Sequence, residues 1–255
     1  MQIAFKSDIG QKRDSNQDYV QAFNNKTGVV LSVIADGMGG HRAGDVASDM
    51  VVTHLGEEFE KNNSSDIRSI AKWMQKMLVV ENKRVVDASK KEADLEGMGT
   101  TIVAAFIFPQ EPSKLLVVNV GDSRCYLYRD NKLKQLSFDH SLVNELFVSG
   151  EITAQQAKDY PNKNIITQSL GVSDSVQPTF GEFKIKSKDQ ILLCTDGLTN
   201  MVSEAEISEI LGSKLTIQEK CQKLIDNANA AGGVDNITVQ IIDLSANNTE
   251  GSKND

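Results

Sequence analysis

Between residues 100 and 130 the chain packs three strand-like runs in quick succession: TTIVAAFIF (100–108), KLLVVNVG (114–121) and SRCYLYRD (123–130). Each is apolar and rich in β-branched or aromatic residues, the composition of buried strands. The gaps between them hold turns, not helices, and parallel neighbours need a long crossover, so an antiparallel arrangement is expected. QIAFKSD (2–8), VVLSVIA (29–35), TFGEFKIK (179–186), QILLCTD (190–196) and NITVQIIDL (236–244) read the same way. Helical spacing appears at 44–61 and 66–92, then at 203–212 and 216–233. The third helix opens on a capping box, Ser203 with Glu206, and the fourth ends on glycines. The helices therefore come as two adjacent pairs, not as βαβ alternation. This order predicts an α+β fold, a four-layer α-β-β-α sandwich of two mainly antiparallel sheets flanked by helix pairs.

One domain is expected over residues 1–244. Weaker strand character at 138–178 suggests a small helical or loop insertion, of the kind that often borders a site. The polar end SANNTEGSKND (245–255) is expected to be disordered. A formal net charge of -8 argues against nucleic acid or an anionic membrane as partner. The longest apolar run, 102–108, is far short of the ~20 residues of a membrane helix. The opening MQIAFKSDIG lacks a signal peptide's basic start and apolar core. A cytoplasmic monomer is the expectation. Cys125, Cys194 and Cys221 are scattered, which suits reduced core thiols. The acidic balance also sets a condition: an anionic substrate would need a local reversal of sign.

Aspartates stand repeatedly at apolar–polar boundaries. VIADG reaches Asp36, VVNVGDSR turns at Asp122, ILLCTDG reaches Asp196, GGVDNITV carries Asp235, and RDSNQDYV places Asp18 before YVQAF. Aspartate is a poor strand former, so the pattern makes sense if strand ends converge on one site. Clustered carboxylates are tolerable only when protons or cations neutralise them. With His41, His54 and His140 scattered, no zinc spacing exists; oxygen ligands indicate Mg²⁺ or Mn²⁺. Two such ions about 3.5–4 Å apart would bridge a water and lower its pKa. They would also cancel the charges of Asp18, Asp36, Asp196 and Asp235, and Arg13 would then make the pocket positive. Glycines after Asp36 let backbone approach an ion, with the Gly37 carbonyl as a further ligand.

In this order, DGMGGHRAG, GMGTT, GDSR, CTDGL and DNIT resemble the motifs of the metal-dependent serine/threonine protein phosphatases of the PPM, or type 2C, family, and its compact bacterial members above all. The motifs run from Gly10 to Thr238, nearly the whole chain. The resemblance implies a β-sandwich flanked by helix pairs. It implies hydrolysis of phosphoserine and phosphothreonine in proteins by a metal-bridging hydroxide, in opposition to a serine/threonine kinase. By the same resemblance Asp36 bridges two Mn²⁺ or Mg²⁺ ions, Gly37 binds one through its carbonyl, and Asp196 and Asp235 bind the other. Asp18 acts on the metal centre, Asp122 and Asp196 hold a third, weaker ion, and Arg13 grips the substrate phosphate. The 138–178 insertion corresponds to the family's flap.

Two positions depart from the broader family. Asn16-Gln17-Asp18 replaces the common Asn-Glu-Asp, removing one carboxylate, and Met38 stands where eukaryotic members carry a histidine. No leaving-group acid is assigned; His41 either orients its loop or touches substrate. Two other residues keep an ordinary reading beside the functional one: Asp122 as a turn residue and Arg13 as a loop charge. Against a cysteine phosphatase, Cys194 lacks a phosphate-cradling CxxxxxR; against an aspartyl nucleophile, CTDGLT lacks the first aspartate of DxDGT. A non-catalytic phosphoprotein-binding module remains the alternative, favoured only by Gln17.

Overall fold

A computed structural model describes residues 1–40, 43–111, 113–161 and 164–245. His41 and the tail from 246 onward lie outside the described residues. Two sheets form the centre, and every strand pairing in them is antiparallel. The first sheet has the order β1 (Gln2–Asp8), β11 (Ile237–Asp243), β10 (Gln190–Cys194), β7 (Arg124–Arg129), β8 (Lys132–Gln135). The second runs β2 (Asp18–Asn24), β3 (Val30–Met38), β5 (Ile102–Ile107), β6 (Lys114–Val120), β9 (Thr179–Lys184), with β4 (Gly99–Thr100) against the end of β3.

Three apolar layers explain the order of elements. Val30, Ile34, Val103, Leu115, Leu127 and Leu193 fill the space between the sheets. Helices α1 (Ala43–Glu60) and α2 (Ile67–Lys91) bury Val51, Leu55, Phe59, Met74 and Leu78 on the outer face of the second sheet. Helices α6 (Glu204–Gly212) and α7 (Ile217–Ala230) bury Ile207, Cys221 and Leu224 on the first. The four-layer sandwich expected from element order is the one observed. The turn at Asp130 and Asn131 takes positive φ at both residues, as a tight two-residue hairpin requires. Segment 138–178 carries two short helices, α3 (Leu142–Val148) and α4 (Ala154–Lys158). All three cysteines are free and buried. No helix among the described residues is long and apolar enough to cross a membrane.

Three elements differ from the sequence reading. YVQAF belongs to a full strand, β2, because its backbone pairs along the whole of β3. Strand β8 is polar and exists as the second arm of the β7 hairpin. Asp196 does not end β10 but opens a single helical turn, α5 (Asp196–Thr199), behind Thr195.

Candidate active site

Five aspartates gather at one end of the sandwich. Asp18, the first residue of β2, stands directly opposite Asp36 near the end of β3, an arrangement that destabilises like charges. Asp122 follows β6, Asp196 follows β10, and Asp235 precedes β11. The Asp18 Oδ2 accepts the Thr195 hydroxyl at 2.9 Å. Its Oδ1 is buried without a hydrogen-bond partner, and so is Oδ1 of Asp122. Asp196 accepts from the Asn200 amide at 3.0 Å. Asp235 accepts its neighbour's backbone N–H through Oδ1 and the Arg13 guanidinium through Oδ2, each at 2.8 Å.

Lost solvation is the main electrostatic fact here. Burial, with Asp196 and Asp235 nearby, pushes Asp18 up to about 7. Burial, then Asp196 and Asp139, pushes Asp122 up to about 7. Burial, then Asp235, pushes Asp196 up to about 6. Asp36 is driven well above the ordinary range by burial first and then by Asp18, Asp196, Asp122 and Asp235. Each of these carboxylates is raised by at least one other of the group, so the five lie in one field of like charge.

The backbone around them is held by groups that sequence reasoning passed over. The Asp36 N–H donates to the Thr101 hydroxyl at 3.1 Å, and its carbonyl accepts from Thr101 N–H and the Thr100 hydroxyl at 2.8 and 3.0 Å. Thr101 also hydrogen-bonds Ser123 at 2.8 Å, tying the Asp36 strand to the Gly-Asp-Ser turn. His140 has local partners: its ring Nδ1 accepts the Gly121 N–H at 3.1 Å and its backbone N–H donates to the Gly121 carbonyl at 3.0 Å. Asn236 donates to the Ile9 and Ser15 carbonyls and accepts Gln17 N–H, each at 2.9 Å, so it fastens the loop that bears Arg13. The visible signals were GTT, DH and DN beside motifs already chosen for other residues.

Gly37 is required by close approach. A Cβ there would strike the backbone carbonyls of Gly44 and Gln17. The Gln17 side chain lies against Gly44 at the start of α1. Arg13 reaches the site with its side chain 52% exposed, and its single partner there is Asp235. Arg124 of the GDSR turn is taken up by Asp139, at 2.6 and 2.8 Å. Beside Asp122 and Asp196 a groove of about 640 Å³ opens toward Asn144, Phe147 and Ala157 of the 138–178 segment.

The donor set fits a hard divalent cation: carboxylates that lack hydrogen-bond partners, in a shared field of one sign. Among the described residues no three His, Cys, Asp or Glu side chains close around one point as a ready-made cage. An ion here would therefore draw on water and backbone carbonyls as well, as Mg²⁺ commonly does. No thiol competes as nucleophile: burial pushes Cys194 up to about 12.

Known proteins are close to this chain in sequence and in fold. The family model for protein phosphatase 2C matches residues 10–230. Protein phosphatase PhpP of Streptococcus pneumoniae is 42% identical over 250 residues, covering 98% of this chain and all of that one. The solved serine/threonine phosphatase of S. agalactiae superposes with a TM-score of 0.90 at 42% identity, over 94% of this chain and 98% of that one. The catalytic domain of the phosphatase PstP, solved in complex with two manganese ions, has a TM-score of 0.81 at 35% identity, over 95% and 97%. This chain belongs to the protein phosphatase 2C family.

Proposed function

We propose that this protein is a protein-serine/threonine phosphatase that hydrolyses phosphoserine and phosphothreonine with the help of divalent cations. The observation that carries the reading is the gathering of five aspartates from five separate segments, with the pKa values of Asp18, Asp36, Asp122 and Asp196 raised and one oxygen each of Asp18 and Asp122 buried without a partner. Such a set needs protons or cations to neutralise it, and divalent cations do so at neutral pH.

Asp36, the Gly37 carbonyl, Asp196 and Asp235 would hold two Mn²⁺ or Mg²⁺ ions, and Asp122 with Asp196 a third. Bound ions of this kind supply positive charge for a phosphate and acidify water at neutral pH. The chain's own groups do the rest. Thr100 and Thr101 fix the Asp36 backbone, Asn200 orients the Asp196 carboxylate, and Thr195 holds one oxygen of Asp18 while the other stays buried without a partner among the described residues. Arg13 guards Asp235 at the mouth; turning from it, the guanidinium would meet an incoming phosphate with a two-point fork. Residues 138–178 would act as a flap beside the groove that receives the phosphoprotein. Residues 1–244 form the catalytic domain in this reading, and the protein works as a cytoplasmic monomer against a serine/threonine kinase.

The test is phosphate release from a phosphothreonine peptide by metal-stripped protein, with Mn²⁺ titrated back, beside Asp196→Asn. Release that rises with Mn²⁺ and vanishes in the variant is expected. No release at any metal concentration from folded protein would leave a phosphoprotein-binding module instead.

A further inference from the structure

At the end of the sandwich opposite the aspartates, the two sheets part around an apolar cavity of about 510 Å³, within the size range of small-molecule sites. Val30, Ile107 and Ile185 line it and belong to the core between the sheets, while Met1 and Leu244 pack on that core from the outside. Val30 lies at the start of β3 and Asp36 near its end, six residues and about 20 Å along the strand. Leu244 follows β11, and Asp235 precedes it. The cavity is thus separate from the phosphatase site.

Its rim has the opposite charge from the protein as a whole. The stretch KIKSK (184–188) places Lys184, Lys186 and Lys188 in a chain of net charge -8, and Lys186 lines the cavity. Lys184 stands directly across from Lys114 in the β6–β9 pairing, a costly juxtaposition for like charges. Among the described residues none of Lys184, Lys186 and Lys188 is in an ion pair. Two nearby carboxylates are already paired: Arg129 holds Asp189 and Lys114 holds Glu111. The result is an apolar slot with Lys186 at its edge, in no ion pair among the described residues, and Lys184 and Lys188 close by in sequence.

We propose that this cavity binds a single-chain amphiphile with an anionic head. The hydrocarbon chain lies among Val30, Ile107, Ile185 and Leu244, and the head meets Lys186. Apolar area holds the chain, and the Lys186 ammonium selects the sign of the head.

Decanoate is the probe, titrated calorimetrically into the full-length protein below its micelle concentration, with 1-decanol and decyltrimethylammonium in parallel. One molecule of decanoate per chain is expected, with 1-decanol weaker and the cation weakest. Lys186→Glu, an exposed position, should weaken decanoate about tenfold and leave 1-decanol unchanged, the loss of one charge-assisted contact. Val30→Trp should fill the slot and abolish both. The proposal is overturned if wild-type protein shows no saturable binding, for instance because a second copy covers the mouth. It is equally overturned if Lys186→Glu binds decanoate as wild type does, or if the cation binds as well as the anion. Should Val30→Trp fail to fold, the Lys186→Glu comparison between decanoate and 1-decanol decides alone.

Discussion

The two ends of the β-sandwich treat a buried aspartate in opposite ways. At one end Asp189 is fully provided for: Arg129 donates from Nε to Oδ1 at 2.8 Å and from its terminal nitrogen to Oδ2 at 2.6 Å, and Lys186 N–H adds 2.7 Å. At the other end, among the described residues, five aspartates share one arginine contact, Arg13 to Asp235, and two of their oxygens are buried without a partner. The same chain therefore knows how to neutralise a buried carboxylate and withholds the means where the strand ends converge. A structural carboxylate brings its own cation. These wait for cations from solution.

The largest effect expected from that contrast is chemical. Asp36→Ala should lower phosphopeptide hydrolysis by about a thousandfold or more, the several kcal/mol attributable to metal-ion catalysis. Thermal melting of the metal-free variant should match or exceed wild type, because a repelled charge has been removed. A variant that kept its activity would end the metal-centre assignment, and one that unfolded would make Asp36 a structural residue like Asp189.

The converse change belongs at the other end. Arg129→Ala should cost about 2 kcal/mol of stability, less than a fully buried pair because the arginine is partly exposed, with kcat unchanged under metal saturation. Denaturant unfolding and steady-state kinetics on the same preparation separate the two effects. Equal loss of stability and activity would show the ends to be coupled, against the contrast drawn here.

Acidity offers a third way to tell the ends apart. In the metal-free protein Asp18 and Asp122 are pushed up to about 7 and Asp196 to about 6, from an ordinary 3.8. The folded state then binds protons that the unfolded chain has released. The destabilisation is absent below about pH 4, grows as pH rises toward 7, and levels off above it. With chelator present, the melting temperature should fall from pH 5 to pH 8, and Mn²⁺ should flatten that slope. A metal-free slope of the other sign would contradict the raised values.

How much of this could be read from the sequence depended on the kind of interaction. The sandwich was legible because strand runs and paired amphipathic helices write their periodicity locally, and β8 and α5 were missed because each exists only through a neighbour: the hairpin in one case, the Thr195 turn in the other. The aspartates were legible because a charge at the end of an apolar run is conspicuous. The hydroxyls and amides that hold them were not, since Thr101, Asn200 and Asn236 are ordinary turn and strand-end residues until a distant segment meets them. Arg13 shows the same limit: its partner Asp235 is 222 positions away, and no spacing rule connects the two.

The subtlest change, loss of a single hydroxyl, tests one of those silent groups. Thr101 accepts the Asp36 N–H and bonds the Ser123 hydroxyl, so one side chain fixes both the Asp36 strand and the turn that carries Asp122. Thr101→Val preserves shape but leaves a buried amide and a buried hydroxyl unpaired, a cost of about 1–3 kcal/mol in stability. If the pairing serves the metal centre as well as the fold, kcat should drop about tenfold, since a small displacement of a positioned group has a large kinetic cost. The concentration of Mn²⁺ at half activity should rise with it. Thr101→Ser keeps the oxygen and should restore both quantities while remaining less stable than wild type. A Thr101→Val enzyme with reduced stability but an unchanged Mn²⁺ requirement would make Thr101 a structural residue only, and the Asp36 backbone would be held by Thr100 and the β2 pairing without it.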